Sequence, residues 1–331
     1  MDMKQLNSFL VYITIFLALT SCEPENPSTQ PEIPENPVSI PEETPEEIIE
    51  IPDEYFKTLL ISTNSIDTNA DELGDSDIDL NNDGEIQISE AKNINGLILP
   101  IDYAEINRAV DFTGINNFEN LKQLIITGID HAYLEPNSDS IKISYDFSGL
   151  IQLEKIKLNH INSSYIEDIN LSGLDKLKSA NLDAIKPQYF VGDYDIPFNF
   201  TKMKLDGCIA LEDLSLTNSW LIIDYCEIPN LKKLNLYYLE GGEPDVFDLH
   251  CLTKLEWLDI SENYFEGLIL KNSSVLTYFR ADDIGSGYYD TNNWTNYPFL
   301  EYICIDDIQD EIDQVSTLID ENTTVTFECE F

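Results

Sequence analysis

The residues best equipped for chemistry lie between positions 79 and 90: Asp79, Asn81, Asp83, Glu85, Gln87 and Glu90, with Gly84 among them. A calcium ion takes such a set from a twelve-residue loop. It needs oxygen-bearing side chains at positions 1, 3, 5 and 12, a backbone carbonyl at 7, and glycine at 6 for the sharp turn. Asp79, Asn81, Asp83 and Glu90 fill the side-chain positions, Glu85 supplies the carbonyl, and Gln87 at position 9 can act through water. Ile86 at position 8 anchors the loop to apolar neighbours. The competing reading is an acidic turn that happens to contain glycine. Asp67, Asn69 and Asp71 echo the spacing, but Glu72 stands where glycine should be. A lone extracellular site of this type is weak, ~10⁻⁴–10⁻³ M, which suits a structural role.

Other chemistry has little to draw on. The chain holds two arginines, Arg108 and Arg280, and three histidines, His131, His160 and His250. It has no Gly-x-Ser-x-Gly, no glycine-rich phosphate loop and no His-Glu-x-x-His, so an enzyme is not expected. With 18 basic and 62 acidic residues the net charge is −44, which repels nucleic acid and anionic membrane surfaces. A hydrophobic content of 43% is too high for a disordered protein.

The elements that must position the loop come from a repeat. The pattern Leu-x-x-apolar-x-apolar starts at Leu121, Leu153, Leu177, Leu211, Leu231, Leu255, Leu276 and Leu300. Relative to each leading leucine, positions −8, −6, −3, 0, +3 and +5 are apolar; only Thr113, Ser273 and Asn292 break the rule. The period-2 ends predict short strands and the period-3 middle a turn or 3₁₀ path. One repeat cannot bury its own apolar side, so repeats must stack. The expected fold is a strand-rich α/β-type repeat solenoid, with parallel sheets, short 3₁₀ segments and an N-terminal cap. Ile86, Ile88, Ala91, Ile94, Leu97 and Leu99 fit the same positions, so the calcium loop feeds the first coil. Tyr55, Phe56, Leu59 and Leu60 have helical spacing.

Four segments follow: 1–21, 22–52, 53–99 and 100–331. The first has Lys4 and an apolar run from Phe9 to Leu19, too short to span a membrane and suited to a signal peptide. Leu19-Thr20-Ser21-Cys22 resembles a bacterial lipobox, which implies cleavage before Cys22 and its lipidation, a membrane contact through the lipid anchor alone. Residues 23–52 hold eight of the fifteen prolines and no glycine, the composition of an extended tether reaching on the order of 90 Å. Residues 53–99 form the helix and calcium-loop cap, and 100–331 the solenoid with its C-terminal cap.

From the loop and the repeats together, residues 53–331 resemble the surface leucine-rich-repeat lipoproteins of Bacteroidetes, which place one EF-hand-like loop before the repeats. The resemblance implies an outer-membrane, lipid-anchored and surface-exposed protein. It departs from the family in its asparagines: only the Leu255 block carries one after the strand, Asn263.

Beyond Cys22 there are five cysteines. Cys208 occupies a core position of the repeat. Cys304 on the last strand and Cys329 near the C-terminus suit a disulfide in an export compartment. The pairing of Cys208, Cys226 and Cys251 stays open.

In the strands, positions +2 and +4 point away from the core. They place Trp257, Tyr278 and Tyr302 in one column, with Asp259 and Arg280 beside it. Exposed aromatics next to charges suit a protein or peptide ligand, or stacked sugar rings. A bare cross-strand pairing that only stabilises the sheet is the alternative. The expected function is therefore a binding module with a structural calcium site; a glycan-binding protein or a ligand-free envelope protein are the other readings. The loop from Gly285 to Tyr297, with Trp294, leans toward recognition.

Overall fold

The computed structural model describes residues 46–62, 64–106, 108–129, 142–187, 200–239, 245–274, 276–284 and 300–329. Cys22, the segment 1–45, and the loop 285–299 lie outside the described residues.

The chain winds as a parallel-sheet solenoid of leucine-rich type. Strands β1 (Gly96–Ile101) and β2 (Gln123–Gly128) open a front sheet. The path then alternates between β3 (Ile143–Asp146) at the back and β4 (Lys155–Asn159) at the front. It continues through β5 (Ile166–Asn170), β6 (Ser179–Asp183), β7 (Thr201–Lys204) and β8 (Asp213–Thr217). Next come β9 (Leu221–Ile222), β10 (Lys233–Asn235), β11 (Val246–Asp248) and β12 (Trp257–Asp259). The series closes with β13 (Gly267–Ile269), β14 (Tyr278–Arg280), β15 (Tyr302–Cys304) and β16 (Thr324–Thr326). The front sheet is eight-stranded, in the order β1-β2-β4-β6-β8-β10-β12-β14. The back is two four-stranded sheets, β3-β5-β7-β9 and β11-β13-β15-β16.

The apolar positions of the repeat meet between these sheets. Leu124, Ile156, Ala180, Leu214, Leu234 and Leu258 stand in register across the front, all buried. Tyr145, Ile169 and Met203 face them from the back. Cys208 is a buried free thiol, as its core position predicts, and burial pushes it up to about 12.

Six coils leave the front sheet through a left-handed residue seven places after the leading leucine. These are His160, Ala184, Asn218, Tyr238, Glu262 and Asp283, with φ from 52° to 61°. None is glycine, and each such residue costs about 1 kcal/mol or more. The turn aims the corner amides at the following coil: His160 N–H donates to Asp183, Ala184 to Thr217, Asn218 to Tyr237, Tyr238 to Ser261 and Glu262 to Asp282. Lateral hydrogen bonding thus continues around the corner. At the next position, buried Asn263 accepts from Leu239 N–H and donates to the carbonyls of Leu236 and Ile260. Ser219 does the same for Ile185 N–H two coils earlier. Ile161, Ile185 and Leu239 hold that position elsewhere, so no asparagine ladder forms.

The N-terminal end is closed by α1 (Glu54–Ser62), α2 (Ile88–Ala91) and α3 (Tyr103–Ile106). Asp53 caps α1 by accepting from Tyr55 and Phe56 N–H, and its carboxylate also pairs with Arg108. Burial would raise this carboxyl, but Arg108 and the amides of Asp111 and Phe56 outweigh it and hold it low. Two expected boundaries move. The tether was placed at 22–52, yet Ile49 and Ile51 are buried and Ile49 N–H donates to Ile86. An alternation of apolar residues inside an acidic, proline-rich stretch lets it pair as an edge. The solenoid begins at β1, before residue 100.

The C-terminal end is closed by α4 (Gln309–Val315) and the expected Cys304–Cys329 disulfide. Ile303, Ile305, Ile308 and Glu311 repeat the spacing of Leu268, Leu270, Ser273 and Leu276, so Glu311 takes the place of a leading leucine. It is buried and accepts from Asp306 N–H at 2.7 Å. Burial first, then the Asp306 charge, pushes its carboxyl up to about 7 against that hydrogen bond. The native state therefore binds a proton that the unfolded chain has released. Stability from this residue is present at low pH and is lost as pH rises from the unfolded value to about 7. Glu311→Gln is expected to flatten this part of the melting-temperature profile and to raise the melting temperature at pH 8. An unchanged profile would show that Glu311 titrates as an exposed carboxylate.

Candidate functional site

Register places the outward side chains of the front sheet in rows. One row runs Gln123, Lys155, Ser179, Asp213, Lys233, Trp257 and Tyr278. The row beside it runs Ile125, Lys157, Asn181, Ser215, Asn235, Asp259 and Arg280.

At the C-terminal end of the first row the Trp257 and Tyr278 rings stack, with centroids 4.7 Å apart and planes 3° from parallel. The Lys233 ammonium lies over the other side of Trp257, 5.1 Å from the ring centroid. A cation and two rings thus follow one another on three adjacent strands. Tyr278, on the last strand of the sheet order, is 40% exposed. In the second row the buried Asp259 carboxylate accepts from Ser261 N–H at 3.0 Å and faces the Arg280 guanidinium at 3.5 Å. Arg280 also pairs with Asp282 at 2.7 Å. Asp282, then Asp259, hold Arg280 more firmly protonated. The arrangement offers an aromatic platform with Lys233, itself 3.5 Å from Asp213, at one end and the carboxylate-paired Arg280 in the row beside it.

Tyr302 does not belong to this platform. It lies on β15 of the back, in register with Gly267 and Thr324, and its hydroxyl is buried. A Cβ on Gly267 would meet the Tyr302 ring at 3.6 Å, so the ring lies over that glycine. The expectation failed because Leu-x-x-apolar-x-apolar recurs on both strands of a coil. Phe265, Leu268 and Leu270 carry it at the back, and Leu300, Ile303 and Ile305 repeat that copy. Cys304, two residues further along β15, is likewise buried.

The N-terminal half of the face is covered from within. The Glu72 carboxylate pairs with both Lys155 and Lys157, which hold it low, and Gln123 donates to Asp67 at 3.3 Å. The segment carrying Glu72 repeats the turn of the 79–90 loop. Asp67 accepts from Asp71 and Glu72 N–H as Asp79 does from Asp83 and Gly84 N–H. Glu72 has φ 68° where Gly84 has 82°, so the missing glycine did not prevent the turn.

In the 79–90 loop, Asn81 accepts from Asp83 N–H at 2.8 Å and Asp83 from Glu85 N–H at 2.8 Å. Glu90 is turned to the amides of Leu80 and Gln87, at 2.8 and 3.0 Å. Ile49 and Ile86 tie the loop to the preceding chain by an antiparallel bridge at Ile48 and Gln87. The donor set is wholly oxygen, two of its carboxylates, Asp79 and Glu90, are nearly buried, and Gly84 has open space around it. These residues fit a hard divalent cation. Asp79 and Asn81 both accept from Asp83 N–H, whereas Glu90 has to turn toward them. Among the described residues, the ligand atoms of Cys226, His250 and Cys251 all lie within 4.8 Å of one another. Cys226 and Cys251 form a disulfide, a pairing that the sequence left open.

No protein-family profile matches the chain. Over 140 residues it is 28% identical to Receptor like protein 28 of Arabidopsis thaliana, covering 40% of this chain and 17% of that protein. The chain thus spans about a sixth of that relative's length. Among solved structures it is similar to the functional domain of InlJ from Listeria monocytogenes, described as including a cysteine ladder. That likeness has a TM-score of 0.26 and 16% identity, over 80% of this chain and 67% of the other.

Proposed function

We propose that this protein is a lipid-anchored binding module of the cell surface that recognises a protein or peptide through the C-terminal half of its front sheet, without turnover. The observation that carries the reading is the row Lys233, Trp257, Tyr278, stacked at 4.7 Å. Such a row is rigid before a ligand arrives, so binding loses little side-chain entropy there. Arg280 and Asp259 orient the ligand beside the rings. The internal ion pair of Glu72 with Lys155 and Lys157 leaves the aromatic end as the open part of the face. The same rings can stack on a sugar, which makes a glycan the second reading.

Peptide and glycan arrays probed with the purified domain separate these two. For the ligand found, Trp257→Ala and Tyr278→Ala are expected to weaken binding about tenfold or more. Stability should fall by only ~0.5–1.5 kcal/mol, the worth of the ring pair. Ser179→Ala and Asn181→Ala, on the same face, should leave binding unchanged. If the two pairs of variants bind alike, the platform is not the site.

Calcium in the loop formed by Asp79, Asn81, Asp83, Glu85 and Glu90 would hold the N-terminal cap together, and lipidated Cys22 would hold the protein at the outer membrane. The native protein tests both. Calcium at ten times its Kd should stabilise the cap by ~1.4 kcal/mol. Asp79→Ala and Glu90→Gln should abolish that rise in melting temperature, and indifference of the wild type to a chelator would refute the site. Mass spectrometry should find acyl chains on Cys22; an unmodified mature N-terminus elsewhere would refute the anchor.

A further inference from the structure

The back of the solenoid is interrupted between β9 and β11, and the Cys226–Cys251 disulfide crosses the interruption. Its two sulfurs have different surroundings. Cys226 is exposed, in the 3₁₀ turn Tyr225–Glu227. Cys251 is half-buried, and its Sγ lies 3.2 Å from His250 Nε2. The other ring nitrogen of His250, Nδ1, is 2.7 Å from the Asp248 carboxylate. Asp248 fixes the imidazole through Nδ1, and the imidazole presents Nε2 to the sulfur. The Cys304–Cys329 disulfide serves as an internal reference. It closes a loop of the same length, 25 residues, but Cys304 is buried. Among the described residues no histidine contact accompanies it.

We propose that Cys226–Cys251 is a thiol–disulfide exchange site, at which a thiol-bearing partner is captured as a mixed disulfide on Cys226. A thiolate attacks the exposed Cys226 Sγ, the S–S bond breaks, and its electron pair leaves with Cys251 Sγ. His250, protonated at both nitrogens, gives its Nε2 proton to that sulfur. The products are the partner's mixed disulfide with Cys226, a Cys251 thiol and a neutral imidazole still held by Asp248. No external oxidant is consumed, because the existing disulfide is the electron acceptor. Leaving-group stabilisation is one of the terms that set exchange rates, and the imidazole is placed at the leaving sulfur. The site lies in the turns that follow back strands β9 and β11, apart from the aromatic platform of the front sheet, so covalent capture and recognition use different surfaces.

The test uses the oxidised mature chain with reduced glutathione, and in a second arm a peptide carrying one cysteine. The reaction is quenched by alkylation and mapped by mass spectrometry. Adducts are expected on Cys226, with Cys251 alkylated, well before either appears on Cys304 or Cys329. An adduct with glutathione alone would identify the captured thiol as small, and one with the peptide as a partner cysteine. Exposure by itself would also favour Cys226, so the histidine decides. His250→Gln and His250→Ala are expected to slow opening of this disulfide roughly ten- to a hundredfold. The rate at Cys304–Cys329 and the melting temperature should stay as in the wild type. Unchanged opening in both variants, or adducts concentrated on Cys251, would overturn the proposal.

Discussion

In-register stacking of one coil on the next is the constraint on which the rest of this structure depends. No coil can enclose its own leucines, since a coil contributes at most one short strand to the front and one to the back. The corner residues show how far the chain goes to keep the register. Six non-glycine residues adopt left-handed conformations, and the amides of five are seen to reach the following coil. The local cost is spread over many coils and is offset by hydrogen bonds that would otherwise be lost from buried backbone. Charges follow the same order. Lys122, Glu154, Lys178, Glu212, Lys232 and Glu256 alternate along one margin of the front sheet, and Glu154–Lys178 and Glu212–Lys232 form ion pairs. Each exposed pair is worth little alone. In a chain of net charge −44, alternation places its few lysines where like charges would otherwise adjoin.

Stacking also makes the face. Trp257 and Tyr278 are 21 residues apart in sequence, yet they lie 3° from parallel because β12 and β14 pair in register. Lys233 joins them for the same reason. Where lateral pairing stops, other devices take over. The Cys226–Cys251 bond crosses the break at the back, while α4 and the Cys304–Cys329 bond close the end. At the other end, the pairing of residues 47–49 with 86–88 and the Asp53–Arg108 ion pair attach the cap to the first coils.

Much of this was legible in the sequence because burial in a solenoid is periodic. The front strands fall where the leading leucines place them, α1 falls on its helical spacing, and Cys208 falls where the repeat puts it; the Cys304–Cys329 bond follows from the place of its cysteines at the C-terminal end. One thing was not legible: periodicity says that a residue faces in or out, not which sheet it belongs to. That ambiguity moved Tyr302 from the front to the back. The left-handed corners carry no composition signal, since His, Ala, Asn, Tyr, Glu and Asp all serve. Cys226 and Cys251 occupy unlike positions in their coils, so only the broken back sheet brings them together. Glu311 breaks the leucine pattern with a buried acid, and Glu72 adopts a turn for which glycine is the usual residue. In both places the surrounding structure overrides local preference.

Residue-resolved hydrogen exchange on the folded chain tests the stacking account most directly. Protection should run without a gap along the front sheet from β2 to β14, and should include the corner amides of His160, Ala184, Asn218, Tyr238 and Glu262. At the back it should fall between β9 and β11. Corner amides that exchange as fast as exposed loops, or a gap in protection on the front between β10 and β14, would contradict it. The aromatic row would then have no rigid sheet to stand on.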